Sequence, residues 1–396
     1  MKIAMLGQKG IPAHSGGIEQ HVDVLSKHLV ARGHEVIVYC RRSYCGRDAT
    51  STSEGGLLRI FRPSIPTKHL DAITHTFAST IDVMLRRADI VHYHALGPAA
   101  LAPLARLAGL PVVVTVHGLD WQRSKWGTWA KRCIQFGERM AAANARKIIG
   151  VSPILKRYFA DNYGVDAKFI PNGVMPMQHR PPERMLQYGI EPRKFLFSVS
   201  RLVPEKGLHY LIPAFESLDT DFTLVIAGGG GFDADYEKRL REMAGDRVVF
   251  LGPADRHFVA ELFSHAQLFV LPSDLEGMSI ALLEAMNMGV PVLVSDIPEN
   301  VCVVENAGFK FRAGDIDHLR EVLGGIIHDA GQLSEFGRRA SERVAPFQWP
   351  VVVDQLERTY YDCCGMTPIA TPDAGEVDNP LQRATDALDA LPIEEG

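Results

Sequence analysis

The chain has 396 residues, of which 46% are hydrophobic and 22% are charged. At about 100 to 200 residues per domain this length predicts two or three domains, and the composition excludes a disordered or fibrous protein. The net charge of -5 hides an asymmetry, because residues 1–175 carry +11 and the remainder carries -16. A basic half predicts an anionic partner, namely a phosphorylated substrate, a nucleic acid or an inner membrane surface.

The apolar runs and the cysteines indicate a compartment. The opening MKIAMLG is too short for a secretory signal peptide, and no apolar run approaches the roughly 18 residues that span a bilayer. The six cysteines are scattered, with no C-x-x-C pair and no histidine spacing typical of zinc sites. We therefore expect a cytoplasmic protein whose thiols are reduced and bind no metal.

Short apolar strands alternate with longer segments of helical period along most of the chain, which is typical of parallel sheets covered by helices. In the first half the pattern predicts strands near 2–7, 35–40, 58–61, 89–93, 111–116, 147–151 and 168–170. Between them it predicts helices near 17–32, 69–87, 98–108, 125–145 and 153–162.

The same alternation restarts after a proline-rich stretch. It predicts strands near 195–200, 222–227, 247–251, 267–271, 291–294 and 308–311. The predicted helices lie near 207–217, 232–244, 256–265, 279–288, 316–329 and 332–343. We therefore expect an α/β fold with two doubly wound, Rossmann-like domains that face each other across a cleft.

The predicted boundaries place the first domain over 1–175 and the second over 176–346. Residues 366–396 differ from both, with four prolines, no aromatic residue, and seven carboxylates against one arginine. This composition predicts a mobile acidic tail.

Ligands of doubly wound sheets bind beyond the carboxyl ends of the strands, so the loops that follow the strands are the candidates for chemistry. After the first strand, Gly16 and Gly17 stand where a helix begins, and free N–H groups there attract phosphate. A simple turn pair is the other interpretation. The spacing matches neither a dinucleotide G-x-G-x-x-G nor a P-loop, which disfavours a nicotinamide enzyme and a P-loop ATPase.

Two further loops carry candidate side chains. His117 follows the strand PVVVTV, where it is a candidate for a catalytic loop or a hydrogen-bonded wall residue. Arg201 and Lys206 flank a turn after the strand FLFSVS. An arginine fork and a mobile lysine together suit a diphosphate, although a solvated basic turn is the alternative.

The segment 271–296 contains two glutamates eight residues apart, Glu276 and Glu284. A helix is predicted to begin near Ser279, so its N–H groups could hold phosphate while Glu284 reaches a ribose hydroxyl. Such glutamate pairs are common by chance, and alone they are weak evidence.

Metal ligation is not indicated. The pairs Asp233/Asp235 and Asp315/Asp317 mimic a D-x-D motif, but each lies at the start of a predicted helix, where acids favour the dipole. His92 and His94 share one face of a strand end, and no third ligand is evident, so we interpret them as packing residues.

A basic, tryptophan-rich segment covers residues 121–132. Trp121, Trp126 and Trp129 alternate there with the basic side chains Arg123, Lys125, Lys131 and Arg132. Aromatic and basic side chains together are typical of a membrane interface, and this segment is predicted to contact anionic lipid. Packing of the tryptophans into the core is the alternative.

The segments SGGIEQHVDVLSKHLVARGHEV, VHG, IPNGV, SRLVPEKG and EGMSIALLEAM occur in this order. With them the chain resembles, over about residues 1–362, the group 1 glycosyltransferases, also called family 4, of the GT-B fold. Its opening and the segment HGLDWQRSKWG look closest to members that build bacterial polysaccharides. The resemblance implies a retaining sugar transfer from a nucleotide-diphosphate donor without a metal or other cofactor, to a glycan or lipid-linked acceptor.

The resemblance also implies roles for the candidate residues. The first domain would serve the acceptor, the second would bind the nucleotide sugar, and the helix 347–364 would cross back to the first. Arg201, Lys206 and the Gly16–Gly17 backbone would take the diphosphate, and Glu284 the ribose. His117 would contact a sugar hydroxyl and stabilise positive charge at the reacting carbon. The donor sugar and phosphates would meet Glu276, Gly277, Met278, Ser279 and Ile280.

Two other functions stay open. A sugar-nucleotide epimerase shares the two-domain architecture but lacks the pairing of the two glutamates with RLVPEKG. A nucleic-acid binder would explain the basic half, but no nucleic-acid-binding module accompanies the charge. We expect no nucleic-acid partner and a location in the cytoplasm, including the inner membrane face.

Overall fold

The computed structural model describes residues 1–14, 16–65, 67, 70–123, 126–174, 177–229 and 234–367. The chain forms two compact units, one made of Met1–Gly173 with the residues from Trp349 onward, and the other of Val174–Gln348. We call them the first and second domain. The expected acidic tail falls, from residue 368 onward, outside the described residues.

The first domain is built on a sheet with the strand order β3-β4-β2-β1-β5-β6-β7-β8 among the described residues. The strands are β1 (Lys2–Leu6), β2 (Glu35–Cys40), β3 (Thr52–Glu54), β4 (Leu57–Phe61), β5 (Ile90–His94), β6 (Val112–Val116), β7 (Lys147–Gly150) and β8 (Lys168–Phe169). Its helices are α1 (Gly17–Ala31), α2 (Arg42–Cys45), α3 (Asp71–Arg86), α4 (Ala102–Leu107), α5 (Thr128–Asn144) and α6 (Pro153–Tyr163).

The second domain has a sheet of order β11-β10-β9-β12-β13-β14 in the part that the structure describes. Its strands are β9 (Phe195–Val199), β10 (Thr223–Ala227), β11 (Val248–Gly252), β12 (Leu268–Leu271), β13 (Val292–Ser295) and β14 (Phe309–Phe311). Its helices are α7 (Leu208–Glu216), α8 (Ala234–Met243), α9 (Arg256–His265), α10 (Ile280–Asn287), α11 (Pro298–Val304), α12 (Ile316–Ile326) and α13 (Ala330–Arg343).

The last helix, α14 (Trp349–Cys364), packs on the first domain. Its apolar face joins the core that α1 and the central strands form. Arg32, at the end of α1, donates to Glu357 of α14 at 2.8 Å, and His34 lies 2.7 Å from the same carboxylate. The final helix is therefore held to the first domain by apolar burial and by a partly buried charged cluster.

The alternating pattern predicted these strands and helices to within a few residues, because buried parallel strands are continuous apolar runs. Three elements were not predicted. Strand β3 is short and polar and pairs antiparallel with β4 across a turn at Gly55 and Gly56. Helices α2 and α11 have four and seven residues, too few to show a helical period. Within the described residues, no helix is long and apolar enough to cross a bilayer.

Candidate functional site

The second domain reverses its strand order between β9 and β12. These two strands are hydrogen-bonded neighbours, and chain connections leave them in opposite directions across the sheet. A crevice opens at such a point in doubly wound folds, beyond the carboxyl ends of the strands. The loop after β9 carries Arg201 and Lys206, and the loop after β12 carries Glu276, so the topology brings these predicted residues to one edge.

Lys206 and Glu276 meet directly. Lys206 Nζ lies 2.5 Å from Glu276 Oε1, and Ser273 Oγ donates to the same oxygen at 2.8 Å. Backbone bonds tie the two loops as well, since the Asp274 N–H donates to the Glu205 carbonyl at 3.0 Å. The glutamate thus fixes the lysine at the edge of the sheet, and Ser273 orients the glutamate.

Glycine is required where these loops approach each other. Gly207 has φ +67°, and a β-carbon there would overlap the Pro272 carbonyl oxygen. Gly228, which follows β10 with φ +127°, stands equally close to the carbonyl of Ser200, which follows β9. Both positions combine a left-handed backbone with a close main-chain contact, which only glycine tolerates.

Glu284 lies on α10 and is 8% exposed. Its Oε1 is 3.3 Å from Nη2 of Arg256, a half-exposed residue in the first turn of α9. Arg256 was not singled out from the sequence, because nothing in the local pattern relates it to a glutamate 28 residues later. The predicted ribose-binding carboxylate is therefore part of an ion pair.

The start of α10 matches the predicted helix N-terminus. Ser279 caps it, accepting a hydrogen bond from the Leu282 N–H at 3.3 Å, and Ile280 is the first helical residue. Gly277 precedes the cap and is partly exposed, whereas the Met278 side chain is buried. Backbone N–H groups at this end point toward the edge where Glu276 lies.

Glu299 is a neighbour that the sequence did not reveal. It lies in the first turn of α11, after β13, which pairs with β12. Burial, and then the nearby Glu276 carboxylate, raise the pKa of Glu299 above its ordinary value. The second domain thus gathers three carboxylates, Glu276, Glu284 and Glu299, with cations at one end of its sheet.

In the first domain the strand order reverses between β1 and β5. Gly16 caps α1 with φ +96°, and both Gly16 and Gly17 are exposed. The buried Glu19 turns its carboxylate back to Gly16 and accepts from the Lys9 N–H at 3.0 Å. A negative side chain therefore already lies at this helix end, which was not foreseen.

His117 follows β6 and is partly exposed. Its Nε2 lies 3.2 Å from Nδ1 of the buried His94, and its ring centroid is 4.9 Å from that of His21 on α1. Burial, then neighbouring His21, His92 and Arg123, hold the pKa of His117 well below 6.5. The imidazole is therefore neutral at neutral pH and can exchange hydrogen bonds without bringing a positive charge.

These contacts correct one expectation from the sequence. His92 and His94 showed no third histidine, yet His21 and His117 stand beside His94 in the fold. His92 itself is a packing residue as expected, with Nδ1 2.6 Å from the Tyr360 hydroxyl and Nε2 2.7 Å from Thr115 Oγ1. These partners come from α1 and from the loop after β6, so no local spacing could reveal them.

The tryptophan-rich segment is only partly exposed. The Trp121 indole N–H donates at 2.8 Å to the buried Glu138, which also accepts from the hydroxyls of Tyr158 and Tyr163. Trp126 is partly buried, while Trp129 on α5 is 72% exposed. Lys125 lies outside the described residues. Trp129 and Arg132 on α5 are thus exposed aromatic and basic side chains of the predicted segment.

Two parallel-sheet α/β domains, each with candidate side chains at the carboxyl ends of its strands, define a Rossmann-like GT-B fold. The Glycosyl transferases group 1 model matches residues 183–343, and the Glycosyltransferase Family 4 model matches residues 15–176. The chain therefore belongs to the group 1 glycosyltransferases, and the protein is a glycosyltransferase.

The chain is similar to curated glycosyltransferases and to a solved structure. A phosphatidyl-myo-inositol mannosyltransferase of Mycolicibacterium smegmatis is 29% identical over 365 residues, which cover 88% of this chain and 91% of that protein. An Escherichia coli UDP-Gal:alpha-D-GlcNAc-diphosphoundecaprenol alpha-1,3-galactosyltransferase is 32% identical over 265 residues, covering 61% and 67%. The structure of sucrose-phosphate synthase from Thermosynechococcus elongatus is similar with a TM-score of 0.81, at 21% identity, covering 91% of this chain and 98% of that one.

Proposed function

We propose that the protein is a retaining glycosyltransferase that moves a sugar from a nucleotide-diphosphate donor to a glycan or lipid-linked acceptor in cell-surface polysaccharide biosynthesis. One observation carries the proposal. Arg201 and the Lys206–Glu276 pair lie in neighbouring loops at the strand-order reversal of the second domain. Cations at that position are suited to a diphosphate.

The charge of the leaving group sets the main chemical demand. When the bond from the anomeric carbon to the diphosphate breaks, negative charge grows on the phosphate oxygens. Arg201 offers planar, directed donors, and Lys206 offers a point charge that Glu276 already holds in place. We propose that Arg201 and Lys206 do the work of a metal ion, and that the enzyme needs no cofactor.

The carboxylates are proposed to hold the donor. Lys206 and Ser273 both engage Oε1 of Glu276, which makes Oε2 the acceptor for a hydroxyl of the transferred sugar. The backbone of 277–280 donates to the sugar and phosphates at the start of α10. Glu284, oriented by Arg256, binds the ribose hydroxyls.

His117 is proposed to contact a sugar hydroxyl at the reacting end. A neutral imidazole can accept or donate there without repelling the positive charge that develops on the anomeric carbon. Its low pKa, caused first by burial, keeps it in this form. Retention is proposed to arise from attack on the face from which the diphosphate leaves.

We also propose that the first domain works against an anionic membrane at the inner face. The helices α3, α4 and α5 pack side by side on this domain. Their outer surfaces expose Phe77, Ile81, Leu85, Leu107, Trp129 and Phe136. Exposed arginines stand among these side chains, namely Arg86, Arg87, Arg106, Arg132 and Arg139.

Apolar side chains interleaved with arginine suit insertion to headgroup depth beside anionic lipid. The net charge of +11 over residues 1–175 favours the same surface. Two relatives carry lipids in their printed names, phosphatidyl-myo-inositol and diphosphoundecaprenol. Both observations support an acceptor that is itself embedded in a membrane.

The test is donor binding followed by turnover. Thermal-shift screening with UDP, GDP, ADP and dTDP sugars should raise the melting temperature with one nucleotide class, by mass action. With that donor at saturation, Arg201→Ala and Lys206→Ala should each lower turnover at least about tenfold, roughly 1.4 kcal/mol in the barrier. Lys238→Ala, at an exposed position on α8, is the matched control. Near-normal turnover in both variants, shown to be folded by circular dichroism, contradicts the proposal.

A further inference from the structure

Three histidines from separate parts of the first domain meet at the carboxyl end of its sheet. His21 comes from α1, His94 ends β5, and His117 follows β6. One ring nitrogen of each lies within 4.8 Å of those of the other two. His21 and His94 are buried, and His117 is partly exposed.

The spacing of these nitrogens is close to that of metal ligands. Nitrogens about 2.0 to 2.1 Å from a tetrahedral Zn²⁺ lie about 3.4 Å apart. His94 Nδ1 and His117 Nε2 are 3.2 Å apart, which is already near this value. The ring nitrogens are at most 4.8 Å apart, so a ring movement of about 1.4 Å brings all three to the spacing that one ion requires. The ligand cage is therefore nearly formed by the fold.

Protonation favours ligation too. Burial lowers the pKa of His21 to about 4 and those of His94 and His117 well below 6.5, so all three rings offer lone pairs at neutral pH. His21 Nδ1 lies 3.1 Å from Asn172 Oδ1. An amide oxygen only accepts, so Nδ1 carries the proton and Nε2 carries the lone pair. A hydrogen-bond acceptor on the nitrogen that faces away from a metal, as Asn172 Oδ1 is for His21, orients a metal-binding histidine.

We propose that His21, His94 and His117 form a binding site for one transition-metal ion of the Zn²⁺ class. Three imidazoles supply the ligands, and the fourth position opens to water on the partly exposed side of His117. Nitrogen donors select Zn²⁺, Co²⁺ or Ni²⁺ over Mg²⁺ and Ca²⁺. Binding requires the proton shared between His94 Nδ1 and His117 Nε2 to move to the far nitrogen of its ring, so that each neutral ring presents one lone pair to the ion.

The consequence for activity rests on the proposed function. If His117 contacts the donor sugar, an ion bound to its Nε2 withdraws it, and the metal inhibits transfer. The metal is thus a reversible inhibitor of a reaction that does not need it. Binding itself is independent of this role, so it can be measured without substrate.

The experiment uses untagged full-length protein carrying Cys133→Ser, which removes an exposed thiol that would also bind metal. Co²⁺ is added after EDTA treatment and buffer exchange, and the visible bands of four-coordinate Co²⁺ are recorded. Zn²⁺ affinity is then measured by competition with bound Co²⁺. His21→Gln and His117→Gln are compared with His257→Gln, which replaces an exposed histidine on α9.

We expect one Co²⁺ per chain with intense four-coordinate bands, displaced by Zn²⁺. The two ligand variants should weaken binding at least tenfold, and His257→Gln should bind as the parent does. Circular dichroism in EDTA shows whether each variant folds. If His21→Gln does not fold, the conclusion is drawn from the metal affinity of His117→Gln, whose position is partly exposed. Absent or six-coordinate bands in the parent, or unchanged affinity in His117→Gln, overturns the proposal. Zn²⁺ is also expected to inhibit sugar transfer, and EDTA is expected to restore it. If the proposed sugar transfer itself is wrong, the Co²⁺ spectra are unaffected, because metal binding is measured without substrate.

Discussion

Lys206 Nζ lies 2.5 Å from Glu276 Oε1, although 70 residues separate the two in the chain. Their side chains are 16% and 7% exposed, so the pair is largely removed from solvent. The contact exists because β9 and β12 are neighbours whose carboxyl ends meet at one edge. Under the proposed function, it joins the residue that binds phosphate to the residue that binds sugar.

This pair should be visible in stability. Lys206→Met leaves the Glu276 carboxylate buried and uncompensated, and should destabilise the second domain by about 3 to 5 kcal/mol. Adding Glu276→Gln should restore more than half of the loss. Lys194→Met breaks an exposed pair with Asp221 and should change stability by under about 1 kcal/mol. Thermal unfolding followed by circular dichroism gives the comparison; equal effects of the two lysine substitutions would show that burial of the pair is energetically unimportant.

Gly207 offers a test of backbone geometry with a matched control. Gly207 and Gly189 have φ values of +67° and +69°, but only at Gly207 would a β-carbon strike a neighbouring backbone, that of Pro272. Gly189→Ala should cost about 1 kcal/mol from the left-handed conformation alone. Gly207→Ala should cost clearly more and also weaken donor binding, because it displaces Lys206. Similar melting temperatures for the two variants would refute the close contact.

Activity should survive chelation. The proposed neutralisation of the diphosphate uses Arg201, Lys206 and backbone N–H groups, so EDTA is expected to leave turnover unchanged. Initial rates with and without EDTA, at saturating donor, check this. Complete loss of activity that Mg²⁺ or Mn²⁺ restores would mean that an acidic cluster binds a catalytic ion.

Stability of the first domain should depend on pH through His75. Burial, and then the Arg41 guanidinium, lower the pKa of His75 to about 4 from 6.5, while its Nε2 lies 3.0 Å from the Cys40 carbonyl. Between these pH values the unfolded chain binds a proton that the folded chain does not. The contribution of His75 to the free energy of unfolding is therefore complete above about pH 6.5. It falls as the pH approaches 4, by up to roughly 3 kcal/mol.

The measurement uses urea unfolding at several pH values in EDTA. All four tryptophans belong to the first domain, so their fluorescence reports on it alone. His75→Gln should reduce the dependence of the unfolding free energy on pH by one proton within this window. His257→Gln, in the second domain, is the control. If the unfolding free energy of His75→Gln changes with pH as steeply as that of the parent, His75 is not the source of this pH dependence.

Membrane contact should require both charge and apolar surface. The protein should sediment with anionic vesicles of phosphatidylglycerol and not with neutral ones, and salt should weaken binding. Arg132→Glu with Arg139→Glu, or Leu85→Ser with Trp129→Ser, should each reduce the bound fraction several-fold. Leu186→Ser changes an exposed leucine in the second domain and should have no effect. Equal recovery in the supernatant with and without anionic lipid would refute the contact and leave the sugar chemistry untouched.

The sequence by itself determined the fold class and the position of the candidate loops. Apolar runs such as VVVTV and FLFSVS predicted buried parallel strands, and the residues that follow them, His117 and Arg201, were found at strand ends. This works because strand burial and helical period are local properties of the chain. The order of SRLVPEKG and EGMSIALLEAM then indicated the family.

Only the tertiary structure decided which of these residues meet. The Lys206–Glu276 contact depends on the pairing of β9 with β12, and the Arg256–Glu284 pair on two helices of one domain. His21, His94 and His117 come together because α1 begins, and β5 and β6 end, at the same edge of the first sheet, although successive members are 73 and 23 positions apart in the chain. Such contacts are set by strand order, which spacing along the chain does not encode. Burial likewise exists only once the sheet and its helices have packed. It lowers the histidine pKa values and accompanies the hydrogen bond from Trp121 to Glu138.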